Sequence, residues 1–97
     1  MIDLSPEHID IIKEILQKRV PGCAVRAYGS RVSGKARPYS DLDLAVAGPS
    51  RLDRDTIRLL KEDFENSELP FRVDVMDWHQ IGEKFRKIIE KDCELVQ

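Results

Sequence analysis

Apolar residues recur at helical intervals in three stretches of the chain and at alternate positions in three others. Ile9, Ile12 and Leu16 follow Ser5-Pro6 along one face. That opening suits an N-cap followed by proline at the first helical position, where its missing N–H is no loss. The helix is expected to stop at Pro21-Gly22. From Cys23 to Tyr28 the period shortens to two, with Cys23, Val25 and Ala27 on one side and Arg26 and Tyr28 on the other, which predicts a strand ending at Gly29. Asp41 to Ala47 alternates more cleanly: Leu42, Leu44 and Val46 share one face, and Asp41, Asp43, Ala45 and Ala47 share the other. Gly48-Pro49-Ser50 ends this second strand.

Between Leu52 and Asn66, Ile57, Leu60 and Phe64 return to helical spacing, with Asp53 and Asp55 near the positive end of the helix dipole. After Pro70, the residues Phe71, Val73 and Val75 alternate with Arg72, Asp74 and Met76 as a third strand. Ile81, Phe85, Ile88 and Ile89 then predict a last amphipathic helix. The order helix, strand, turn with a short helix, strand, helix, strand, helix predicts an α/β (α+β) fold, a small mixed sheet of about three strands flanked by helices. The short link between the first two strands favours antiparallel pairing there. The chain of 97 residues is expected to form a single domain, 1–97, with one core.

Charge narrows the choice of partners. A net charge of −2 disfavours a domain that grips duplex nucleic acid by neutralising phosphates, which needs a broad basic face. No apolar run is long enough to span a bilayer, and Met1 is followed by Ile-Asp rather than a charged, then apolar, leader, so a cytoplasmic protein is expected. Cys23 and Cys93 stand far apart with no Cys-x-x-Cys pair and no nearby His, and read as reduced, mostly buried thiols. His8 and His79 have no companion at ligand spacing and read as surface or cap residues; Trp78 reads as a core or interface anchor.

The acids of the second strand are more informative. Asp41 and Asp43 are two positions apart, so their side chains share a face with Cα atoms about 6.6 Å apart. At an effective dielectric of 20, two like charges at that distance repel by roughly 2.5 kcal/mol, and something should offset this. Asp74 also points away from the valine face of its strand. If the third strand lies beside the second, the three acids converge, and an all-oxygen set of this kind suits magnesium or manganese. Asp77 falls on the opposite face from Asp74 and is expected to start the turn to Trp78.

Ten residues separate Gly29-Ser30 from this pair. Glycine lets the backbone approach a ligand, and the Ser30 hydroxyl with nearby backbone N–H groups can donate to phosphate oxygens. Arg31, Lys35 and Arg37 surround the turn, with no acid between Gly29 and Ser40. Each feature alone has an ordinary explanation: aspartates cap turns and open strands, and loop cations are solvated. Their conjunction joins an anion cradle to a metal cage, which suits a metal-bound nucleoside triphosphate.

"GSRVSGKARPYSDLDLAV" resembles the signature of the minimal nucleotidyltransferases, small members of the DNA polymerase beta-like nucleotidyltransferase superfamily. The resemblance implies that fold. It implies that Gly29 and Ser30 hold the triphosphate of ATP, and that Asp41 and Asp43 bind two Mg2+ ions, Mn2+ being an alternative. The same resemblance implies that Asp74 completes the cage and helps to activate the attacking hydroxyl. Relatives commonly read Gly-Ser-x-Ala-Arg-Gly, whereas Val32, Ser33 and Gly34 follow Arg31 here, so the usual second arginine is missing and Lys35 or Arg37 are its candidate substitutes. Such proteins are often paired with a HEPN-domain protein as antitoxin and toxin. The resemblance therefore implies transfer of AMP to a tyrosine hydroxyl of a HEPN toxin, with a homodimer or a hetero-oligomer with the toxin as possible assemblies. Two other functions compete: an antitoxin acting by contact alone, and nucleotidyl transfer to a small molecule such as an aminoglycoside.

Overall fold

A computed structural model of the chain describes residues 2–37 and 40–97. Its elements are α1 (Pro6–Arg19), β1 (Ala24–Tyr28), α2 (Ser30–Ser33), β2 (Leu42–Ala47), α3 (Arg54–Glu65), β3 (Val73–Asp77), a 3-10 turn (Trp78–Gln80), α4 (Glu83–Lys91) and β4 (Cys93–Leu95). Ser5 caps α1 as its sequence predicts, its side chain accepting from the His8 backbone N–H at 3.3 Å. The strands form one mixed sheet in the order β3-β2-β1-β4. β1 runs antiparallel to both β2 and β4, while β2 and β3 are parallel. The β2-to-β3 connection passes through α3, as a parallel pair requires.

The sheet has four strands rather than about three. β4 covers only Cys93–Leu95, too short for a period of two to register, and it forms because the chain after α4 returns to the free edge of β1. Val96 N–H donates to Val25 O at 2.9 Å, and Val25 N–H donates to Gln97 O at 3.2 Å, extending the same pairing.

One face of the sheet carries the main core. Val25, Ala27, Leu42, Leu44, Val46 and Val75 pack there against Ile12 and Leu16 of α1 and Leu60 and Phe64 of α3. These are the residues that alternation and helical spacing single out. The opposite face is covered only in part: Ala45, Ile81 and Ile89 are buried together, with Tyr28, Met76, Trp78 and Cys93 packed around them. Here α4 departs from expectation. Ile81 lies before the helix, and of the three apolar residues within it only Ile89 is buried; Phe85 is 37% exposed and Ile88 64%.

Asp77 is a buried brace, accepting from Leu52 N–H at 2.8 Å and from His79 N–H at 3.0 Å. Cys23 is buried and Cys93 partly so, and both are free thiols. Trp78 is held between two cations, with the guanidinium carbons of Arg26 and Arg86 4.8 Å and 5.3 Å from its ring centre. No helix among the described residues is long and apolar enough to cross a membrane.

α1 and α3 are joined by a forked ion pair: Arg19 Nε donates to Asp63 Oδ2 at 2.5 Å and Nη2 to Oδ1 at 3.2 Å. The hydrogen bond and charge of Arg19 hold the Asp63 carboxyl below its ordinary pKa. The stabilisation is therefore full above the unfolded value, about 3.9, and is lost as pH falls through the folded one. Asp63→Asn is expected to melt below wild type at neutral pH, with the gap closing as pH falls below the folded value. Thermal denaturation across pH checks this; a gap independent of pH would contradict it.

Candidate active site

Strand register builds the candidate site. In the antiparallel pair Tyr28 stands opposite Asp43, and in the parallel pair Asp43 stands opposite Asp74. Neighbouring strands are about 4.8 Å apart, so Tyr28, Asp43 and Asp74 form a row across three strands on the partly covered face. Asp41 lies one residue before β2 and is exposed. The third strand does adjoin the second, the condition on which convergence of the acids depends, and the Asp43–Asp74 pairing follows from it.

β1 ends at Gly29, with φ at +84°, a conformation that favours glycine. A Cβ added there would overlap Oδ2 of Asp43 and stand 3.3 Å from its Cγ. The bare backbone at position 29 is thus what lets the Asp43 carboxylate lie against the turn. From Gly29 the chain enters α2, whose single turn is closed by Val32 and Ser33 N–H donating to Gly29 O at 3.1 and 3.0 Å. Gly34, also at φ +84°, ends it.

Electrostatics mark Asp43 as the tense member of the row. Burial, followed by the negative charges of Asp74 and Asp41, pushes its carboxyl above the ordinary range. Burial and the same row, through Asp43 and Asp74, push the Tyr28 phenol up to about 12, so it remains protonated. The Tyr28 hydroxyl donates to Met76 Sδ at 3.3 Å.

The predicted cations separate in the structure. Lys35 lines, with Gly29, Ser30 and Ser33, a cavity of about 450 Å3 beside the turn. Arg37 is exposed on the segment leading towards Asp41 and does not line that cavity. Arg31 departs from the expected role of anion ligand, because it is taken up inside the fold, only 5% exposed. Its Nε donates to Ser40 O at 2.8 Å and its Nη1 to Asp3 O at 3.0 Å, while its guanidinium carbon lies 4.1 Å from the centre of the Phe71 ring. By holding the carbonyl just before Asp41 and the ring just before β3, Arg31 positions the approaches to two of the acids. Sequence spacing carries no signal for that role.

Among the described residues no three acidic, cysteine or histidine side chains stand close enough together to hold an ion as they are placed. The donors nonetheless suit a hard divalent cation: all are carboxylate oxygens, two are in strand register, and burial with the added like charges of Asp74 and Asp41 raises the pKa of Asp43. Asp41, Asp43 and Asp74 are the residues that could hold it.

Residues 9–96 match the sequence profile of the nucleotidyltransferase domain. The chain belongs to this family. The nucleotidyltransferase is 48% identical over 96 residues to a protein of Haemophilus influenzae named as a probable protein adenylyltransferase MntA, covering 99% of this chain and 84% of the relative. Its fold is similar to that of a toxin-antitoxin crystal structure with AMP-PNP, at a TM-score of 0.77 and 21% identity over 92% of this chain and 72% of that one. It is similar also to the complex of a tri-AMPylated HEPN toxin of Shewanella oneidensis with its MNT antitoxin, at a TM-score of 0.71 and 21% identity over 94% and 70% of the two chains.

Two substitutions test this geometry. Gly29→Ala is expected to cost on the order of 1–3 kcal/mol in stability, from the left-handed backbone and the overlap with Asp43, and to impair nucleotide binding; unchanged denaturant midpoint and binding would contradict the close approach. Because the folded pKa of Asp43 is raised, its charge destabilises the fold above that pKa, and the penalty disappears as pH falls towards the unfolded value. Asp43→Asn is therefore expected to melt above wild type in metal-free buffer at neutral pH and to match it near pH 3, roughly below both values. A melting temperature at neutral pH equal to or below wild type would count against a crowded carboxylate.

Proposed function

We propose that this nucleotidyltransferase is a metal-dependent protein adenylyltransferase that transfers AMP from ATP to a tyrosine hydroxyl of a HEPN toxin, and so acts as its antitoxin. The observation that carries the reading is the row of Asp43 and Asp74 in strand register against the Cβ-less turn at Gly29. The 48% identity to a probable protein adenylyltransferase supports the choice of acceptor class. The HEPN toxin complex among the structural relatives supports the partner.

Asp41, Asp43 and Asp74 would hold Mg2+, with Mn2+ as an alternative, and the metal would supply charge neutralisation at the transferring phosphoryl group and the leaving pyrophosphate. The chain's own contribution is positioning. Ser30 and the backbone of its turn orient the triphosphate, and Lys35 offsets its charge from the cavity wall. Arg37, exposed nearby, is the remaining candidate for a phosphate contact. Asp74, half-buried on the open edge strand, accepts the proton of the tyrosine hydroxyl as its oxygen bonds to the α-phosphorus. The bond from that phosphorus to the bridging oxygen of pyrophosphate breaks in the same displacement.

A second reading is inhibition of the toxin by contact alone, favoured by the lack of a preformed three-acid cluster among the described residues. Incubation with a purified HEPN-domain partner, magnesium and ATP labelled at the α-phosphate separates the two. The proposal expects label on a partner tyrosine, abolished by Asp43→Asn and reduced by about 10²–10⁴-fold in Asp74→Asn. Full inhibition of the toxin with no label would select the contact mechanism.

A further inference from the structure

α4 exposes apolar surface that its own fold does not use. Phe85 and Ile88 are two of the three large hydrophobic residues exposed among the described residues, although Ile89 beside them is buried. They are not on an open convex surface. Both line the cavity of about 450 Å3 that Gly29, Ser30 and Lys35 also line. The cavity thus combines apolar side chains with hydroxyl, backbone and ammonium groups, and Asp92 is the one acid among the described residues of its lining.

Phe85 is also held in place. Its ring meets that of Tyr28 edge to face, with centres 5.7 Å apart and planes at 87°. Tyr28 is fixed in turn by its hydroxyl on Met76 Sδ and stands opposite Asp43 in the sheet. An aromatic ring with one neighbour on its edge is therefore anchored one residue away from the carboxylate row.

We propose that Phe85 and Ile88 form the shelf on which the base of the donor nucleotide lies, with the phosphates directed to Gly29, Ser30 and Lys35. The assignment rests on the nucleotidyl-transfer reading and adds to it the residues that grip the nucleoside. Several features favour a nucleoside over a protein partner as occupant. The volume lies within the range of small-ligand sites, the lining combines an aromatic wall with a few polar groups, and the cavity is continuous with the turn that receives the phosphates. Base stacking on an aromatic ring tolerates different bases, which accounts for a site without an obvious hydrogen-bonding signature for one of them.

The test measures binding rather than turnover. Dissociation constants of ATP and of inorganic tripolyphosphate, each with magnesium, are determined by calorimetry for the full chain and for Phe85→Ala, Phe85→Leu and Ile88→Ala. The shelf predicts that Phe85→Ala weakens ATP by about tenfold, Phe85→Leu and Ile88→Ala by a few-fold, while tripolyphosphate binds all four proteins alike. Unchanged ATP affinity in Phe85→Ala overturns the shelf, and loss of HEPN-partner binding in the same variant would assign the patch to the partner instead. Equal weakening of ATP and tripolyphosphate also overturns it, because the damage would then lie in the phosphate site or the fold. Failure of the wild-type chain to bind either compound would remove the nucleotidyl-transfer reading itself, and the shelf with it.

Discussion

The contact between the Asp43 carboxylate and the bare backbone of Gly29 constrains the whole site. β1 and β2 must be in a register that sets Tyr28 opposite Asp43, so that the residue after Tyr28 arrives beneath the carboxylate. That residue must lack a Cβ and must take a positive φ, and only glycine meets both conditions without strain. The same carboxylate is crowded from the other side by Asp74, its partner in the parallel pair. A fold selected for stability alone would have little use for two acids in register on a partly buried surface, because a neutral side chain would relieve their repulsion. The proposed divalent cation would relieve that tension.

The two faces of the sheet divide the work. On one, α1 and α3 cover most of the apolar residues of the three longer strands. On the other, the 3-10 turn and α4 cover a small patch centred on Ala45 and stop short of Asp43 and Asp74. The acids therefore sit on a surface whose far side is rigidly packed, with neither α4 nor the turn closing over them. Arg31 extends the rigid side by tying the segments before Asp41, before β3 and before α1 into one cluster. The three acids are thus carried on strands or on a fastened strand end, where position is well defined.

Much of this was legible from residue order. The Ser5-Pro6 cap, the alternation from Cys23 to Tyr28 and from Leu42 to Ala47, and the apolar spacing of α3 are local signals, and local geometry honoured them. The role of Asp77 as a turn brace also followed from strand period alone. Strand neighbours were a condition rather than a reading: the Asp43–Asp74 pairing depends on a crossover through α3 that no short window contains. β4 was missed because three residues are too few to display a period, and its pairing is decided by where α4 ends. Arg31 was misplaced because a cation beside a phosphate-type turn looks the same in sequence whether it faces solvent or folds back onto distant carbonyls. Phe85 and Ile88 belong to the predicted apolar stripe yet are exposed, because helical spacing reports the stripe and not what covers it.

The central claim is that Asp41, Asp43 and Asp74 are drawn together around divalent cations against the Gly29–Ser30 turn. It is tested most directly by anomalous diffraction from crystals grown with Mn2+ and a non-hydrolysable ATP analogue. The account predicts manganese peaks bounded by oxygens of these three aspartates, with the triphosphate lying along Gly29 and Ser30. A nucleotide bound elsewhere, with the three carboxylates free of metal, would contradict it.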